Sequence, residues 1–152
     1  MEDFKVAQFT KELVAIRLQR LEDPSLAAAE LIRKTLHTAL KALPPGPERG
    51  KVIEDAVRGG MQGLILADQD VPRGGVAVVE ALAELAQDLG LDPSETLMSG
   101  LRGLAGLRRL VRPDQLDKLR HEIDSRYDGA GEAFCAFLHA QPDPGRQRSP
   151  AN

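Results

Sequence analysis

Few residues in this chain have the type and spacing for chemistry. Cys135 and His139 stand four apart in a stretch that also holds Phe134, Phe137 and Leu138. One helical turn puts the thiol and the imidazole on a shared face, as a nucleophile and its base would be. No third residue is evident to orient the imidazole, and a cysteine among aromatics ordinarily packs as a small, unreactive hydrophobe. His121 has Asp117 four residues before it and Asp124 three after, a spacing that could gather a metal ion. That face lies opposite Leu116, Leu119 and Ile123, so the expectation is a solvated face with no metal. Asp68-Gln69-Asp70 opens like a calcium loop, but Pro72 takes the third ligand position and no glutamate closes it. The sequence contains no His-Glu-x-x-His, Cys-x-x-Cys, ferritin-type Glu-x-x-His or phosphate-loop pattern. Gly100-Leu101-Arg102-Gly103-Leu104-Ala105-Gly106 is glycine-rich, but no strand precedes it, as a nucleotide loop would require. The expectation is therefore no catalytic residue, no metal and no cofactor, with Cys135 and His139 the best pair if the chain were an enzyme.

One charged constellation stands out. Arg102, Arg108, Arg109 and Arg112 follow one another with no acid between them, while Leu97, Leu101, Leu104, Leu107 and Val111 share an apolar face. Together they read as a basic amphipathic helix over residues 94–112. Residues 51–92 carry three bases against eight acids, so charge is segregated along the chain. The favoured reading puts the leucines in the core and pairs the arginines with the acidic helices. A second reading has the helix detach and lie on an anionic membrane or a hydrophobic granule. A third has the arginines meet nucleic-acid phosphate. That is the weakest, because Ser94-Glu95-Thr96-Leu97 is a poor start for a recognition helix.

Helical periodicity organises nearly the whole chain. Helices are expected over residues 3–21, 25–43, 48–68, 76–89 and 94–111. A sixth follows through Leu116, Leu119, Ile123 and Tyr127, and a short seventh through Phe134, Phe137 and Leu138. Pro44-Pro45-Gly46-Pro47 is a stiff connector, and Val71-Pro72-Arg73-Gly74-Gly75 reads as a turn. Gly90 stands where a left-handed cap belongs, and Asp92-Pro93-Ser94-Glu95 has the chemistry of a helix start. The predicted fold is all-α: one bundle of six or seven helices over residues 1–140, with a disordered tail over 141–152.

Gly59, Gly60 and Gly63 fall inside the third of these helices, and Gly100, Gly103 and Gly106 inside the fifth. Each costs roughly 1 kcal/mol against alanine in a helix interior, so each needs a reason. Close helix packing supplies one, and a contact surface for a partner is the alternative. The strings Val57-Arg58-Gly59-Gly60-Met61-Gln62-Gly63-Leu64 and Leu97-Met98-Ser99-Gly100-Leu101-Arg102-Gly103-Leu104 match in pattern at an offset of 40 residues. Two related helix pairs, stacked as in an α-solenoid, would explain the echo.

Composition bounds what remains. The 152 residues are 42% hydrophobic and 28% charged, with a net charge of −3, which fits a single globular domain that is not basic overall. A single cysteine excludes an internally disulfide-stapled scaffold, and 3% aromatics argues against stacking platforms for bases or sugars. No stretch is long and apolar enough for a transmembrane segment, and acids open the chain where a secretory signal would be basic. These features point to a cytoplasmic helical interaction or adaptor module acting through its Gly-rich helices on a protein partner or on a second copy of itself. The alternative is peripheral membrane association through residues 94–112, ahead of nucleic-acid binding.

Overall fold

Three aspartates and a set of prolines decide where the helices begin. The computed structural model describes residues 6–8, 10–11 and 23–141. Its helices are α1 (Pro24–Lys41), α2 (Pro47–Leu66), α3 (Val71–Leu89), α4 (Pro93–Ala105), α5 (Pro113–Arg126) and α6 (Ala130–Ala140). Residues 6–8 and 10–11 are also helical, and no strand occurs among the described residues. Most of the helix expected over 3–21, and the tail expected over 141–152 apart from Gln141, lie outside them. Asp23, Asp70 and Asp92 cap α1, α3 and α4 by accepting backbone N–H groups of Leu26, Arg73, and both Ser94 and Glu95. Each is followed by a proline in the first turn, where a missing N–H costs nothing. Gly90 ends α3 in the left-handed conformation at φ 66°, and the Leu91 N–H closes back on the Ala86 carbonyl at 2.9 Å.

Two expected boundaries are wrong. The segment 71–75, read as a turn, is the first part of α3. The Asp70 cap and Pro72 favour helix there, and Gly74 and Gly75 lie against Leu64 and Leu119. The basic helix expected over 94–112 ends at Ala105. Beyond it the chain tightens into successive i→i−3 turns, Leu107 to Leu104, Arg108 to Ala105 and Leu110 to Leu107. These keep Leu107 fully buried and send Leu110 outward, and Pro113 holds Arg112 extended at ψ 146°.

The helices pack as a ladder. α1, α3 and α5 form one row, and α2, α4 and α6 form the other. The rungs join α1 to α2, α3 to α4 and α5 to α6. Each rung is a helix pair joined by a short connection, so the stacked units are α1–α2, α3–α4 and α5–α6. The core runs between the rows, with Ile32, Leu36, Met61, Leu64, Leu82, Leu85, Leu101, Leu104, Leu119 and Phe134 fully buried.

The sequence echo falls on α2 and α4, the second helices of consecutive units. Gly60 faces Ile32 of its own unit's first helix, and Gly100 faces Leu82 of its own. Gly59 meets the backbone of Ala7, while Ser99 in the matching position lies against Gly50 of the preceding unit. A Cβ on Gly103 would lie 2.6 Å from the Glu54 carbonyl oxygen and 2.9 Å from Val57 Cβ. Gly106 lies against the Arg58 side chain. Ser99 at Gly50, Gly103 at Glu54 and Gly106 at Arg58 run in the same order along both helices, so α2 and α4 are parallel. Gly63 is buried in α2.

These contacts order two substitutions. Gly103→Ala forces two backbones apart and should lose about 2–3 kcal/mol of unfolding free energy. Gly100→Ala meets only the end of the flexible Leu82 side chain and regains helix propensity, so it should stay within about 1 kcal/mol of the parent. Denaturant midpoints at constant slope check the order.

Candidate functional site

Parallel packing of α2 and α4 opens a groove where their first turns come together. It has a volume of about 950 Å³ and is lined by the 45–47 connector, the start of α2, residues 90–92 and one face of α4. Ile53, Leu91 and Met98 give it apolar surface, Lys51 and Arg102 bring cations, and Glu54, Asp92 and Glu95 bring carboxylates. Several of these charges are already engaged. Asp92 holds the Ser94 and Glu95 amides at 2.9 and 3.1 Å, and Glu54 is 3.9 Å from Arg58. Arg49, on the rim, donates to the Leu43 carbonyl at 2.8 Å and so fastens the end of α1 to the start of α2.

Two hydroxyl side chains line the groove beneath these charges. Thr96 is 4% exposed and Ser99 6% exposed, and neither has a hydrogen-bond partner among the described residues. Helical hydroxyls ordinarily fold back on their own helix, as Thr10 does on the Val6 carbonyl at 2.7 Å and Ser125 on Glu122 at 2.8 Å. Because no fully buried side-chain oxygen among the described residues lacks a partner, the Thr96 and Ser99 oxygens open into the groove. Ser99 Oγ would stand 3.0 Å from a Cβ on Gly50, so the bare glycine makes its niche. In the parallel register Thr96, one turn earlier on α4, lies level with the first residues of α2. That end has no side-chain cap: Gly46 offers none, Pro47 has no N–H, and the Glu48 N–H has no acceptor among the described residues.

The four arginines singled out by sequence are all exposed and meet different neighbours. Arg102 stacks over the Phe137 ring at 4.8 Å and reaches the groove. Arg108 donates to the Leu138 and Gln141 carbonyls, both at 3.3 Å, closing the end of α6. Arg112 pairs with Asp114 at 3.1 Å, which raises the Arg112 pKa and lowers that of Asp114. Arg109 is exposed without a hydrogen bond or ion pair among the described residues. Pairing with the acidic helices, the favoured expectation, therefore fails for all four. Arg126 and Arg33 reach Glu80 and Asp88 instead. The apolar face expected of the basic amphipathic helix is packed in the core. Leu101, Leu104 and Leu107 are fully buried, and the basic residues after Arg102 lie beyond the helix end. No helix among the described residues is long and apolar enough to cross a membrane.

Cys135 is half-buried, with Sγ 3.9 Å from His139 Nδ1. Asp124 is committed to the Gly131 N–H at 3.0 Å, and His121 to the Asp117 carbonyl at 3.0 Å. No metal-ligating group of three or more His, Cys, Asp or Glu side chains occurs among the described residues. Sequence reasoning missed Thr96, Ser99, Gly50 and Lys51. The available signal was the place of Ser99 in the echo, where the first copy has Gly59. No protein-family model, curated protein or solved structure matches the chain.

Burial at the α5–α6 junction pushes the Tyr127 phenol above its ordinary pKa, with the Glu80 carboxylate adding to the shift and Arg126 opposing it. A raised folded pKa favours the neutral phenol. The associated stability is complete below about pH 10 and is lost as pH rises through the folded value. Tyr127 is the only tyrosine and there is no tryptophan, so phenolate absorbance reads it alone. The native midpoint should lie above that of the urea-unfolded chain.

Proposed function

We propose that this chain is a helical protein-interaction module that takes a segment of a partner protein into the α2–α4 groove. The observation that supports this is the groove itself, an open channel of about 950 Å³ with both apolar and polar side chains in its lining. Such a mixture suits a polypeptide, whose side chains need apolar contact and whose backbone needs donors and acceptors. Stacked helix pairs are a scaffold that presents extended surfaces of this kind, because each unit is held by its neighbours and one edge stays open. The glycines of α2 and α4 serve the reading indirectly. Their missing side chains are occupied by neighbouring helices, and the groove between the first turns is a consequence of that spacing. We place the module in the cytoplasm, where the one thiol, Cys135, remains reduced.

Selection of short random peptides on the folded chain tests the proposal. Enriched peptides should shift amide resonances of residues 46–51 and 91–102 and lose affinity with Met98→Arg, which crowds the groove from a half-buried position. Enrichment of peptides that shift other residues only, or no enrichment at all, contradicts it.

A further inference from the structure

The groove and the end of the described chain meet at the same helix. α6 packs along α4, with the Phe137 ring beneath the Arg102 guanidinium at 4.8 Å. Arg102 lines the groove, and Arg108, past the end of α4, holds the Leu138 and Gln141 carbonyls, both at 3.3 Å. Gln141 is therefore tied to the end of α4 that carries Arg102. Eleven residues follow it, Pro142 to Asn152. Extended at about 3.3 Å each, they span about 36 Å. α4 has 13 residues and, at about 1.5 Å each, is about 20 Å long. The segment is long enough to turn back and run the length of the groove.

Charge and composition favour that course. The cations in the lining are engaged: Arg49 on the Leu43 carbonyl at 2.8 Å, Lys51 3.5 Å from Asp55, and Arg102 on Phe137. Glu95 is exposed and holds no ion pair among the described residues, and Glu54 has Arg58 at 3.9 Å. The segment supplies Arg146 and Arg148, after a Pro144-Gly145 pair of the type that reverses a chain. Glu54 lies level with Gly103, and Glu95 is about two turns nearer the start of α4. A chain entering past Arg102 meets Glu54 first and Glu95 second. Pro142, Pro144 and Pro150 bring apolar surface with little freedom to lose. The segment has no large apolar side chain, so it holds the groove weakly and gives way to one that does.

We infer that residues 142–152 fold back into the α2–α4 groove as an internal occupant, with Arg146 at Glu54 and Arg148 at Glu95, and that a partner segment must displace them. This inference rests on the groove being a binding site, as proposed above.

The test compares amide spectra of the full isotope-labelled chain with those of the double variant Arg146→Glu/Arg148→Glu. At low ionic strength the substitutions should shift residues 51–54 and 91–102. The difference should shrink at about 1 M salt, where the screening length is about 3 Å. A nitroxide on Ser149→Cys, in a Cys135→Ser background, should broaden the Glu95 and Met98 amides more than those of α1, which does not touch α4. Thermal unfolding of each variant shows that the fold is retained. Shifts confined to residues 138–152, or equal broadening of α1 and α4, overturn the inference. Peptides selected on the groove give a second readout. They should bind the double variant at least about twofold more tightly, the gain when the segment fills the groove half the time or more. Peptides that bind both forms equally, with no groove shift between the forms, remove the internal occupant and leave the interaction module standing. Groove shifts in the double variant with no peptide selected leave the docked segment standing and remove the module.

Discussion

Two helix backbones lying nearer than side chains ordinarily permit set the position of everything else in this molecule. At Gly103 of α4 there is no room for a methyl group against the Glu54 carbonyl and Val57 of α2. That approach fixes the register of the two helices, and the register carries through Ser99 at Gly50 and Gly106 at Arg58. It places Leu101 and Leu104 in the core between the rows. It also brings the uncapped start of α2 beside the buried hydroxyls of α4. The groove follows from the packing, since two parallel helices whose first turns begin at loops leave a gap that no third helix among the described residues fills.

Much of this was legible in the sequence, for physical reasons that differ by element. The apolar stripes of α1, α3 and α5 carried their own periodicity, and Asp92 with Pro93 announced the start of α4 because a carboxylate before a proline satisfies the first free amides. Gly90 was legible because few other residues accept its left-handed geometry. The glycine echo pointed to stacked helix pairs but did not say which neighbour completes each pair. Each echo helix closes a unit with the helix before it, α1 with α2 and α3 with α4. Which of two neighbours a helix packs on is decided by loop geometry and core shape, and periodicity carries neither. The end of α4 was misread because Leu107 and Val111 continue a helical spacing that i→i−3 turns also satisfy. The groove residues were invisible for a related reason. A serine and a threonine on an apolar helix face read as tolerated polar residues until a neighbouring glycine and an uncapped helix end are placed beside them.

Several arginines hold helix ends or join separate helices. Arg49 and Arg108 donate to carbonyls at helix ends, and Arg33, Arg73 and Arg126 link separate elements through Asp88, Asp23 and Glu80. Exposed pairs of this kind contribute little individually. Their value lies in fixing how helix ends meet. Of the arginines clustered in sequence at 102–112, Arg102, Arg108 and Arg112 each make a local contact of their own.

The account stands on the parallel register of α2 and α4, and proton–proton distances in solution measure it directly. Nuclear Overhauser contacts should connect the Gly103 α-protons with the Val57 methyl groups, and the Ser99 β-protons with the Gly50 α-protons. Contacts from Gly103 to the opposite end of α2, or none between the two helices, would contradict the register and remove the groove with it.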